Sequence, residues 1–96
     1  MTLSENLHTD TLVVRAKGMV ATDMDGQWVM MSVENGKYYS LDPVGSRIWD
    51  LIERPFTIKD IVCVLLSEYK VAEERCRIDV AAFLNDLIER GLVDVV

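Results

Sequence analysis

The sequence predicts an α+β domain, a three-stranded antiparallel sheet followed by three helices. Three observations carry this. Turn dipeptides at Asp25-Gly26 and Asn35-Gly36 bracket runs of strand formers. After residue 42 the apolar residues recur at helical spacing. Strands come first and helices after, the order of an α+β chain. A small sheet with three short helices also fits a winged-helix architecture.

Taken in order, residues 1–10 read as a flexible tail and 11–96 as the folded domain. Val13 and Val14 suit extended backbone, and Gly18 interrupts it. Strands are expected at about 18–24, 27–33 and 37–41, the middle one on "QWVMMSV". The first helix starts with Asp42 as N-cap and Pro43 at its first position, and Pro55 ends it. Val44, Ile48, Leu51 and Ile52 mark its apolar face. The second has Thr57 as N-cap with Asp60 three residues on, a relative of the capping box. Its buried face is Ile58, Ile61, Val62, Leu65, Leu66 and Tyr69. The third runs over about 73–90 with Val80, Phe83, Leu84, Leu87 and Ile88 in one stripe. Gly91 caps it, and "LVDVV" closes the chain as a short strand.

Composition narrows the function. The net charge is −6 and the pI is near 4.6, against the basic face of nucleic-acid binders and against anionic membranes. The third helix sets Glu73, Glu74, Asp79, Asp86 and Glu89 against Arg75, Arg77 and Arg90, a net of −2. Counterion release would therefore favour DNA binding little. No apolar run reaches the roughly 20 residues of a membrane span, and no signal peptide is visible. Cys63 and Cys76 lack metal-ligand or redox spacing and read as reduced thiols of a cytoplasmic protein. The only histidine, His8, lies in the tail. No catalytic constellation, metal site or cofactor motif is expected.

The stretch "NGKYYSLDPVG" carries the sharpest signal. Neighbouring strand residues face opposite ways, so Tyr38 and Tyr39 cannot share a face. A two-residue loop at Asn35-Gly36 sets Val33 opposite Tyr38, Ser32 opposite Tyr39 and Met30 opposite Leu41. Trp28, Met30, Ser32, Tyr39 and Leu41 then face inward, with Tyr39 at the rim of the core. Tyr38 faces out. The third strand is an edge, protected only by Lys37 and Pro43. Such an edge suits addition of a partner's strand; the protein's own tail, its first strand or a second copy could cover it instead.

Beyond these patterns, the chain resembles the PqqD-like family, recognition domains of pathways that modify ribosomally made peptides. The resemblance rests on Tyr38-Tyr39, Leu41-Asp42, Gly45, Ile48-Trp49, Leu51-Ile52, Thr57, Ile61, Leu65, Tyr69, Asp79-Val80, Phe83-Leu84, Leu87 and Gly91-Leu92. It spans about residues 19–94. Asp42 stands where the family often has Asn, and Glu53-Arg54-Pro55 replaces its usual Asp-Gly.

The resemblance implies a winged-helix-like fold and a non-catalytic role, binding the leader segment of a precursor peptide by strand addition beside the third helix. The backbone of Lys37, Tyr38, Tyr39, Ser40 and Leu41 would pair with the leader. Tyr39, Leu41, Val80 and Phe83 would line an apolar groove, with Cys76 and Asp79 on the same flank. Core packing suits Val80 and Phe83 equally. Asp79 reads as a solvated helix residue or an acceptor for a leader Lys or Arg. The chain looks most like the leader-binding component of lasso-peptide pathways, which employ a separate cysteine protease and a cyclase. The chain itself would be a monomer or weak dimer. Alternatives are a chaperone for a radical enzyme, a transcriptional regulator, and a subunit that dimerises through the same edge.

Overall fold

The computed structural model describes residues 10–17, 19–32 and 36–96. The expectations for the tail and His8, for the break at Gly18 and for Val33 and Asn35 lie outside these residues. Two small sheets and three helices surround one core. Strand β1 (Leu12–Arg15) comes first, then the meander β2 (Met19–Met24), β3 (Gln27–Ser32) and β4 (Tyr38–Ser40). Helix α1 (Pro43–Leu51), strand β5 (Phe56–Thr57), helix α2 (Ile58–Glu68), helix α3 (Glu73–Glu89) and strand β6 (Val93–Val95) follow.

The meander is antiparallel in the order β2-β3-β4. Asp25 and Gly26 both take positive φ at its first turn, as a tight hairpin demands. Between β3 and β4 the register differs from the expected one. Tyr38 pairs with Met31, Tyr39 with Met30 and Ser40 with Val29, two residues away from a hairpin closed at Asn35-Gly36. The slip is even, so every side chain keeps its face. Met30 and Leu41 are buried, Tyr39 packs against the core, and Tyr38 is 73% exposed.

The helix starts follow the local chemistry. Asp42 caps α1 through its side chain to the Gly45 N–H, and Thr57 caps α2 through the Asp60 N–H. Helix α1 stops at Leu51, ahead of Pro55. Tertiary packing accounts for this: Ile52 is wholly buried, and its carbonyl accepts the Arg15 N–H at 3.1 Å. At the far end of α3, Gly91 adopts φ 76°. Its N–H donates to the Ile88 carbonyl and that of Leu92 to the Leu87 carbonyl, a Schellman motif clasped by buried Leu87 and Leu92.

A second antiparallel sheet, β5-β1-β6, gathers segments far apart in sequence. Val13 pairs with Phe56 on one side and Val95 on the other. Arg15 joins this sheet to the meander. Its Nε donates to the Trp49 carbonyl at 2.9 Å, and its guanidinium lies 5.0 Å from the Trp49 ring centre and 5.3 Å from that of Trp28. Trp28 in turn donates through its indole N–H to Asp50 at 2.7 Å. Trp49, Ile52, Ile58, Ile61 and Leu84 are the centre of the core. Tyr69, expected on the buried face of α2, lies past that helix's end and is 37% exposed. No helix among the described residues is long and apolar enough to cross a membrane.

Candidate functional site

Strand β4 is an edge: β3 lies on one side, and no other described strand lies beyond it. The Leu41 N–H donates to the Trp28 carbonyl at 2.9 Å, continuing the ladder. Antiparallel pairing alternates, so the main-chain groups of Tyr39 and Leu41 turn toward β3. Those of Tyr38 and Ser40 turn outward. An incoming extended segment would therefore meet the backbone of Tyr38 and Ser40.

Beside this edge lies a furrow of two joined hollows. One, about 420 Å³, lies between β4 and the second half of α3. Tyr38 to Asp42 form one wall; Phe83, Asp86, Leu87 and Arg90 form the other. The second hollow, about 390 Å³, opens among the start of α1, the end of α2 and the first half of α3. Its walls are mostly apolar and include Val44, Ile48, Leu65, Tyr69, Val71 and Val80. Asp42 and Phe83 line both.

The junction is tightly made. A Cβ on Gly45 would come 3.0 Å from Phe83 Cε1 and 3.0 Å from Asp42 Oδ1. Only a residue without a side chain lets the start of α1 approach the ring this closely. Asp42 is held by its 2.6 Å bond from the Gly45 N–H. Its neighbour Leu41 accepts, through its carbonyl, a bond from Ser46 Oγ at 3.3 Å, and Ser46 Oγ itself accepts the Trp28 N–H at 2.9 Å. Strand β4 and helix α1 are thus set at a fixed angle.

The furrow's charges are arranged along α3. Arg75 Nε lies 3.3 Å from Asp79 Oδ2 at one end, and Arg90 Nε 3.0 Å from Asp86 Oδ2 at the other. The Arg90 guanidinium also covers the Tyr39 ring, 5.2 Å from its centre. Asp86 first and Tyr39 second raise the Arg90 pKa still further above its ordinary value, so Arg90 stays charged. Burial, and secondarily Asp79, push the Cys76 thiol up, which keeps it neutral and a poor nucleophile near pH 7. Among the described residues no cluster of His, Cys, Asp and Glu could hold a metal ion. What the arrangement offers is a partly apolar trough beside a row of main-chain donors and acceptors.

The residues anticipated from sequence divide as follows. Tyr38, Tyr39, Ser40 and Leu41 line the first hollow, Cys76, Asp79 and Val80 the second, and Phe83 both. Lys37 is exposed and lines neither. Val80 is at once core and furrow floor, being 2% exposed. Sequence reasoning missed Asp42 as a lining residue, and with it Tyr69, Arg75, Asp86 and Arg90. A signal for the α3 members existed: positions 75, 79, 83, 86 and 90 recur at steps of three and four along one helix flank. For Asp42 and Tyr69 there was none, because they arrive from other elements.

The described residues thus form a small module with an exposed sheet edge over a helix-walled furrow. The chain is a member of the family described as coenzyme PQQ synthesis protein D (PqqD), whose model matches residues 27–93. TbiB1, solved in complex with the TbiA(beta) leader peptide, is 31% identical with a TM-score of 0.80, over 84% of this chain and 94% of that one. Two further structures share the fold. Lasso peptide synthetase B1 complexed with the leader peptide is 22% identical, with a TM-score of 0.77 over 85% of this chain and 96% of that one. The PqqD truncation of Methylobacterium extorquens PqqCD, described as a stand-alone recognition element, is 14% identical, with a TM-score of 0.75 over 92% and 94%. No curated protein matches the chain.

Proposed function

We propose that this protein is a non-catalytic recognition element for the leader segment of a ribosomally synthesised precursor peptide. The leader adds a strand to β4 and settles side chains into the furrow against α3. The observation that carries the reading is the outward-facing backbone of Tyr38 and Ser40 directly above that furrow. The family membership and the leader-bound state of TbiB1 support it. In a lasso-peptide pathway the bound leader would be presented to a separate cysteine protease and a cyclase. Tethering raises the local concentration of substrate at those enzymes without any chemistry by the carrier.

The test begins with a search of the neighbouring reading frames for a short precursor peptide, whose fluorescein-labelled leader is then titrated against the protein. Saturable binding is expected, and N-methylation of the leader amides that face β4 should weaken it at least tenfold, the scale of one lost charge-free pairing in a buried setting. Indifference to N-methylation would overturn strand addition. Salt-sensitive binding to duplex DNA, with no response to leader, would point to a regulator instead.

A further inference from the structure

The furrow's acidic side chains are not equivalent. Asp79 and Asp86 each have an arginine one turn away on α3, in Arg75 and Arg90. Asp42 lines both hollows, and among the described residues no cation pairs with it. Its Oδ1 is committed to the Gly45 N–H, so the carboxylate is oriented before any partner arrives. The partial positive charge at the start of α1 answers roughly half of a carboxylate charge, leaving the remainder uncompensated. Capping alone does not require that charge, since Asn caps a helix as well as Asp.

We infer that the segment filling the furrow carries a lysine or arginine whose cation seats on Asp42, next to an apolar side chain that enters the second, mostly apolar hollow. This rests on the peptide-binding reading and specifies its substrate. Asp42 is itself exposed, so the pair has the modest strength of a surface ion pair, strengthened on one side by the apolar wall of the second hollow. Asp79, already engaged by Arg75, contributes little to the choice.

The experiment is selection of a displayed library of random 12-residue peptides against the wild-type protein, Asp42→Asn and Glu53→Gln, an exposed acid outside the furrow, with thermal melts confirming that each variant is folded. Wild type and Glu53→Gln should enrich a basic residue at one fixed offset from an apolar position, and Asp42→Asn should lose that enrichment. A selected synthetic peptide with its basic residue changed to Gln should bind wild type about fivefold more weakly and Asp42→Asn unchanged. Apolar enrichment without a basic position, or a basic position that survives Asp42→Asn, overturns this inference and leaves peptide binding standing. No enrichment by any of the three proteins overturns the peptide-binding reading itself.

Discussion

Gly45 shows how one residue can shape the furrow. Alanine is the better helix former by about 1 kcal/mol, so Gly45→Ala would stabilise α1 in isolation. Here the added methyl meets Phe83 and Asp42 at 3.0 Å, and overpacking costs about 1–3 kcal/mol. The second effect is the larger. Gly45→Ala should lower stability by about 1 kcal/mol in urea unfolding, and weaken peptide binding by moving the Phe83 ring. In a Phe83→Leu background the loss should shrink, because the ring edge is gone and only the Asp42 contact remains. Additive losses in that double-mutant cycle would show that the two residues do not press on each other.

At the scale of the element, β4 separates two functions of one backbone. Tyr39 and Leu41 serve the ladder to β3, while Tyr38 and Ser40 face outward. Proline is tolerated on an edge strand where its missing N–H would have faced away from the sheet. Ser40→Pro should therefore lower the melting temperature by no more than about 5 °C, as expected for a change under 1 kcal/mol in a domain of this size, yet reduce peptide affinity at least tenfold. Tyr39→Pro should unfold the meander, because it removes a ladder bond. If both variants bound peptide as wild type does, the added strand would have to pair elsewhere. The two-residue error in the expected register belongs to this scale as well. Asn35-Gly36 is a strong hairpin signal, yet among the described residues the strands pair from Met31 and Tyr38, in a register two residues away from that loop. Burial of Met30 and Leu41 specifies which face turns inward, and a shift of two satisfies it as well as a shift of none. The faces were therefore legible, and the register was not.

Across the whole molecule, contacts between elements hold the furrow open. Arg47 on α1 grips Glu68 at the end of α2, donating from Nε to Oε1 at 2.9 Å and from Nη2 to Oε2 at 2.8 Å. The bond from Arg47 lowers the Glu68 pKa below its ordinary 4.5. A lowered carboxylate stabilises the fold above its unfolded value and ceases to do so as the pH falls through the folded one. The stability gap between wild type and Glu68→Gln should be constant from pH 6 to 8. It should close as the pH drops below about 4.5, read from urea midpoints. A gap that persists at acid pH would assign the effect to shape and not to charge.

Much of this was readable in the linear chain: the order of elements, the Asp42 and Thr57 caps, the Gly91 stop, and the opposite facing of Tyr38 and Tyr39. These depend on residues within one or two turns of each other, whose periodicity and capping act locally. Only the folded molecule decided that β1 lies between β5 and β6, that Arg15 is bracketed by Trp28 and Trp49, and that Asp42 and Phe83 meet where the two hollows join. Those pairings join segments separated by tens of residues, and their geometry comes from burying one shared core. No local pattern encodes that distance.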